Sequence, residues 1–276
     1  MEHLVLVDLD KTLIDERYQL TIPVRKVRKA IQALERKGVL FGLCSDSPLP
    51  MLQVWQERIG AHGPIVSEQG ALVFDPTDGT EFATLPEATG WFPALRERVV
   101  MDGIKRIHSW STYLGDSTEL IRQKVRIHGR HEVLLLVNSQ RRHSFAAHLR
   151  RVGKRGELSI DSEMLSTLRQ EVEEQARTMT AEPLDIDENP EYGILILHAE
   201  RNVKANGVRA LIDQFRISQV TYIGDSWRDL IGDQQVNQTA VNNAMDAYKK
   251  HCSYVAQATY TEGVLEILER LDNSSF

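Results

Sequence analysis

Two apolar patterns alternate along this chain. Residues 4–7 form an unbroken Leu/Val run that stops at Asp8, and residues 39–44 are apolar again and stop at Ser45. Continuous runs of this length suit strands buried on both faces, as in a parallel sheet. Between them Val24, Val27, Ala30, Ile31 and Leu34 fall at helical spacing, with Gly38 as the stop. A second helix is expected over residues 49–59, closed by Gly60. Strand, helix, strand, helix in this rhythm predicts a doubly wound α/β sheet. The rhythm returns near the end of the chain. A helix capped by Asn202 is expected to run to Phe215, followed by a strand over 220–223 that ends at Gly224-Asp225. Residues 254–256 are strand-like, and Val264, Leu265, Ile267, Leu268 and Leu271 mark a terminal amphipathic helix.

The middle breaks the rhythm. After a turn cluster at Asp75-Pro76-Thr77-Asp78-Gly79, strands are expected over 133–137 and 194–197. Helices are expected over 141–152, with Phe145, Leu149 and Val152 on one face, and after Ser162, with Leu165, Leu168 and Val172. This reads as an α+β module, residues 82–200, inserted into a parallel-sheet core formed by residues 1–81 and 201–276.

Composition narrows the class. The 276 residues are 42% hydrophobic and 26% charged, with a formal net charge of -6, which suits a soluble globular protein and disfavours nucleic acid or an anionic membrane as partner. No apolar run is long enough to span a bilayer. Two cysteines, Cys44 and Cys252, need no disulfide framework, and residues 1–7 lack the form of a secretory leader, so a cytoplasmic monomer or homodimer is expected. Charge in the insert is segregated. Residues 122–155 hold ten Lys/Arg against one acidic residue, and residues 157–191 hold eleven Asp/Glu against two Arg. Solvated faces account for this simply. Alternatively the basic stretch, including Arg126, Arg130, Arg141 and Arg142, attracts an anionic substrate.

The chemistry gathers at strand ends. Asp8-Leu9-Asp10-Lys11-Thr12 follows the first apolar run, at the edge where open α/β sheets bind ligands. Carboxylates delivered there by a buried strand call for a cation, and oxygen ligands of this kind suit Mg²⁺. Asp225, in Gly224-Asp225-Ser226-Trp227-Arg228-Asp229, repeats the arrangement on a second strand; its alternative role is to cap a following helix. Ser45 ends a third strand, as a phosphate donor or as a plain turn serine. Lys204 opens a helix, where an ammonium is unfavourable unless an anion joins it; otherwise it is a surface lysine.

In order, Asp8-Leu9-Asp10-Lys11-Thr12, Ser45, Lys204 and Gly224-Asp225-Ser226 with Asp229 resemble the four motifs of haloacid dehalogenase-type phosphatases. The insert resembles the α/β cap of their subfamily IIB, and the resemblance continues through Ala240-Val241-Asn242-Asn243-Ala244-Met245 and Thr261-Glu262-Gly263-Val264. Residues 43–70 are most similar to archaeal-type phosphoglycolate phosphatases. The resemblance implies a Rossmann-like core and a Mg²⁺-dependent phosphatase acting on a small phosphorylated metabolite, a sugar phosphate or a compound of the phosphoglycolate or phosphoglycerate type. It implies catalysis by Asp8 as nucleophile, Asp10 as acid and base, and Ser45 and Lys204 as phosphoryl binders. Metal would be held by Asp8, Asp10 through its carbonyl, Asp225 and Asp229, the last through water or by positioning Lys204. Substrate would meet Thr12, Ser45, Asp46, Gln69, Lys204 and Arg228.

Three segments depart from the family pattern: Arg228 in place of Asn, Ser45-Asp46-Ser47-Pro48 in place of Thr-Gly-Arg, and Glu68-Gln69-Gly70 in place of Asn-Gly. A phosphomutase that returns the phosphoryl group to a sugar, and a phosphate-binding sensor without turnover, are the competing readings. A cysteine phosphatase would need an Arg where Pro50 stands after Cys44. The spacings of His128, His131, His143 and His148 match no usual zinc set.

Overall fold

The first strand, His3–Val7, explains its own composition. Val5 and Val7 pack into one apolar cluster with the helices Val24–Glu35, Leu49–Ile59 and Tyr260–Asn273, while Leu4 and Leu6 point the other way, against the helix Lys204–Phe215. Successive side chains of a strand face opposite sides of the sheet, so a strand with helices on both faces must be apolar throughout. The computed structural model describes residues 3–102, 108–112, 133–152, 158–160, 162–200 and 203–273.

The chain divides into two compact units, Met1–Thr84 with Asn202–Phe276, and Leu85–Arg201. In the first, eight strands lie in the order Tyr254–Val255, Val236–Ala240, Gln219–Gly224, His3–Val7, Val39–Cys44, Ile65–Ser67, Leu72–Phe74, Glu81–Ala83. The first six run parallel, and the last two add an antiparallel edge. His3–Val7 sits in the middle, pairing Val7 with Ile223 on one side and Leu43 on the other. Parallel neighbours in register bring Asp8, Ser45 and Asp225, each just past a strand's end, to one edge of the sheet. The helices at 24–35 and 49–59 form as expected, and Gly60 ends the second in the left-handed conformation at φ 69°. Cys44 and Cys252 are free thiols; burial pushes the Cys44 thiol up to about 12, against the pull of Lys204, which suits a core residue.

The second unit is a sheet in the order Leu184–Asn189, Ile194–Ala199, Phe145–Val152, Val133–Asn138, His108–Thr112, with Leu158–Ser159 paired to Phe145–Val152. The helices Phe92–Asp102 and Ser162–Arg177 cover one face, packing against Leu135, Val137, Phe145, Ala147, Leu149, Leu195 and Leu197. Here one expectation fails. Residues 145–152 are a strand, not part of a helix, pairing with Ile194–Ala199 and Val133–Asn138. Phe145 and Leu149 are four apart, a spacing that keeps both on one face in either conformation. Buried Ala147 between them is the strand's signature.

Arg126, Arg130, His128 and His131 lie outside the described residues. Arg141 is buried and donates to Ser144 Oγ at 2.9 Å, so it is no solvated charge. His148 is half-buried, and desolvation, then Arg150 and Arg141, lowers its pKa to about 4. His143 Nδ1 meets Thr89 Oγ1 at 2.9 Å. No helix among the described residues is long and apolar enough to cross a membrane.

Candidate active site

Asp8 leaves the end of its strand still tied to the neighbouring one, donating its N–H to the Ile223 carbonyl at 2.9 Å. The chain then folds back at once: Leu13 N–H reaches the Asp8 and Leu9 carbonyls at 3.2 and 3.0 Å, and Ile14 N–H reaches Leu9. This tight turn needs Lys11 at φ 61°, a left-handed conformation that costs a non-glycine residue free energy and therefore must be held by its surroundings. The turn returns Thr12 to Asp8: Thr12 Oγ1 lies 3.1 Å from Asp8 Oδ2 and 3.3 Å from Asp225 Oδ1.

Lys204 is the first residue of its helix, and its side chain is buried with the carboxylates. Its Nζ donates to Asp8 Oδ1 and to Asp229 Oδ1, both at 2.6 Å. The start of that helix is held close to the turn Glu68–Gly70. A Cβ on Gly70, at φ 95°, would stand 2.3 Å from the Val203 carbonyl oxygen, so only glycine fits. Glu68 and Gln69 precede it at φ 48° and 60°, both buried. Gln69 N–H reaches the Ser45 carbonyl at 3.3 Å. Ser45 is buried, with its hydroxyl accepting from the Ser47 N–H at 3.1 Å. Asp46 is half-buried beside it.

Asp229 is fully engaged. Oδ1 accepts from Lys204 and, at 3.0 Å, from the Tyr222 hydroxyl. Oδ2 accepts from Asp225 N, Ser226 N and Ser226 Oγ at 3.0, 2.9 and 3.1 Å. The cap of this short turn is Ser226, in a capping box with Asp229, and not Asp225. Asp225 is thereby left at the strand end, half-buried. Arg228 lies over the Trp227 ring, its guanidinium carbon 5.3 Å from the centroid.

One ammonium does not balance this crowd of carboxylates. Burial raises the proton affinity of Asp8 well above the carboxylate range, Lys204 opposing and Asp229, Asp225 and Asp10 adding to it. Burial and Asp229 likewise push Asp225 to about 7, against Lys204 and Thr12. Burial would raise Asp229 too, but the Lys204 ion pair and the two backbone N–H groups outweigh it, and its pKa is lowered. Asp8, Asp225 and Asp229 can each direct one oxygen to within 4.8 Å of the others. An oxygen-seeking divalent cation fits this set, because its charge would offset the burial and mutual repulsion that raise the proton affinity of Asp8 and Asp225. Asp229, with five donors already, is suited to holding Lys204 more than to direct ligation.

The sequence pattern does not single out Tyr222. A phenol inside an apolar strand must find a partner for its hydroxyl, and that was the available signal.

A family model described as haloacid dehalogenase-like hydrolase matches residues 5–268. The chain belongs to the haloacid dehalogenase-like hydrolases. Among its family relatives, a phosphoglycolate phosphatase of Thermoplasma volcanium is 31% identical over 107 residues, 38% of this chain and 46% of that enzyme. A glucosyl-3-phosphoglycerate/mannosyl-3-phosphoglycerate phosphatase of Methanococcoides burtonii is 32% identical over 78 residues, 28% of each chain. The match thus spans less than half the length of either curated relative. A haloacid dehalogenase-like hydrolase from Bacteroides thetaiotaomicron shares the fold at TM-score 0.65 and 17% identity, covering 98% of this chain and 100% of that one. A Thermotoga maritima protein does so at TM-score 0.65 and 18% identity, covering 100% and 99%.

Proposed function

We propose that this chain is a Mg²⁺-dependent phosphatase that hydrolyses the phosphomonoester of a small metabolite through a phosphoenzyme on Asp8. The observation that carries the reading is the Asp8 carboxylate, buried at a strand end with the Lys204 ammonium at 2.6 Å and Asp225 sharing Thr12 with it. A carboxylate can approach an anionic phosphate only where positive charge offsets the repulsion. Asp8 and Asp225, with the Asp10 carbonyl, would hold Mg²⁺, whose charge would keep Asp8 ionised and would draw density from the phosphoryl oxygens.

An Asp8 oxygen bonds to phosphorus as the ester P–O bond breaks, and Asp10 gives its proton to the leaving oxygen. Water then attacks the phosphoenzyme, Asp10 takes a proton from it, and phosphate leaves as the Asp8 carboxylate is restored. Lys204 and Ser45 steady charge on the transferring group. Asp229 holds Lys204 in place. Thr12, Asp46, Gln69 and Arg228 border the substrate, and the unit at 85–201 acts as the cap that selects it. The curated relatives act on phosphoglycolate and on glycosyl phosphoglycerates, which favours a substrate carrying a carboxylate besides its phosphate over a neutral sugar phosphate.

The test is a screen of the purified chain on 2-phosphoglycolate, phosphoglycerates and hexose phosphates, with Mg²⁺ or EDTA. Mg²⁺-dependent phosphate release that disappears in Asp8→Asn is expected. Phosphoryl transfer between hydroxyls of one sugar without phosphate release would replace the reading with a mutase, and no turnover of any ester would remove it.

A further inference from the structure

The turn that carries Asp10 is gripped from a distant part of the same unit. Its strained residue, Lys11, offers its carbonyl to Asn243 Nδ2 at 2.6 Å. The same amide's Oδ1 accepts the Tyr260 N–H at 3.0 Å. Turning the amide over would set oxygen against oxygen and N–H against N–H, so the two bonds fix its orientation. Tyr260 is itself left-handed at φ 49°, at the start of the terminal helix, and the next residue grips the turn a second time. Thr261 Oγ1 donates to the Leu13 carbonyl at 2.7 Å and accepts the Thr21 N–H at 3.0 Å. Asp10 therefore lies in a loop closed internally by Leu13 and Ile14 and anchored outside at residues 11 and 13.

We propose that Asn243 is a positioning residue for Asp10, with Thr261 as the second half of the clamp. Without the Asn243 bond, Lys11 loses a contact that holds it at positive φ. Relaxation of Lys11 would swing the Asp10–Lys11 peptide and move the Asp10 carboxyl off the leaving oxygen. The inference rests on the phosphatase reading and on Asp10 as the proton donor. The clamp meets Asp8 and Asp225 only through the same turn, by way of Thr12 and the Leu13 N–H, whereas Lys204 is held by its own bonds to Asp8 and Asp229.

Leaving-group dependence reads out proton donation. A nitrophenolate departs with little help, whereas an unsubstituted phenolate or an alkoxide needs the proton. Wild type, Asp10→Asn, Asn243→Ala, Thr261→Ala and Thr261→Ser are compared by kcat/KM on aryl phosphates from p-nitrophenyl to phenyl, with thermal unfolding of each. In Asp10→Asn the loss relative to wild type should grow along the series, and Asn243→Ala should follow the same slope, its loss rising by about tenfold from the best to the worst leaving group. Thr261→Ala should share that slope and Thr261→Ser, which keeps the hydroxyl, should not. This pair carries the test if Asn243→Ala does not fold. A steep Asp10→Asn series beside flat losses in Asn243→Ala and Thr261→Ala overturns the clamp alone. A flat Asp10→Asn series with an active wild type overturns the proton-donor role and the inference with it. An inactive wild type overturns the phosphatase reading itself.

Discussion

Lys204 and Asp229 form an ion pair at 2.6 Å in which both side chains are buried, with 5% and 0% exposure. A lone buried charge is costly, so each is needed to keep the other ionised. The pair also sets the position of the ammonium against Asp8.

Replacing Asp229 with Asn should therefore destabilise the metal-free protein by about 3 kcal/mol, the scale for breaking a buried pair from one side. Urea unfolding near neutral pH measures it. Activity should fall with it, because Lys204 then answers to Asp8 alone. Unchanged stability would show the pair to be a passive contact.

Tyr222→Phe should be milder. It keeps the ring's packing and removes one of five donors to Asp229, a loss of about 1.5–3 kcal/mol for a bond to a charged acceptor. Steady-state kinetics should show a smaller drop in kcat than Asp229→Asn causes. An equal or larger drop would give the phenol a role beyond supporting that carboxylate.

Asp8→Asn should abolish turnover without loss of stability when metal is absent. Burial raises the folded pKa of Asp8. Such a group contributes stability below its unfolded pKa and loses that contribution as pH rises through the folded pKa. The amide resembles the protonated form, so the variant's advantage should grow with rising pH. Thermal melts in EDTA across the acid-to-neutral range test the sign.

Mg²⁺ affinity should strengthen as pH rises through about 7, where Asp225 gives up its proton in the metal-free protein, with loss of the Asp8 proton adding to the rise. Binding should release protons below that point, which calorimetry in buffers of different ionisation enthalpy detects. Affinity that is flat or falls with pH would remove Asp225 from the ligand set. Ca²⁺ should support turnover poorly, because its longer bonds and higher coordination misplace Asp8.

Much of the core was written locally. Unbroken apolar runs predict strands buried on both faces whatever lies beyond them, and each run ends where its chemistry begins, at Asp8, Ser45 and Asp225. Parallel strands share a direction, so residues at their ends must share an edge. Lys204 at a helix start, and Gly38 and Gly60 at helix ends, could be read from neighbours a few positions away.

What tertiary structure decided involves partners far apart in sequence or patterns that two conformations satisfy equally. Phe145 and Leu149 fit one face of a helix or of a strand, and only pairing with residues 133–138 and 194–199 selected the strand. Asp229 takes its part as anchor for Lys204 from bonds to Lys204 and Tyr222. Asn243 reaches Lys11 across 232 positions, and no local pattern encodes such a bond. It exists because folding brings the two ends of the core to the same edge, where the strained turn at Lys11 needs holding.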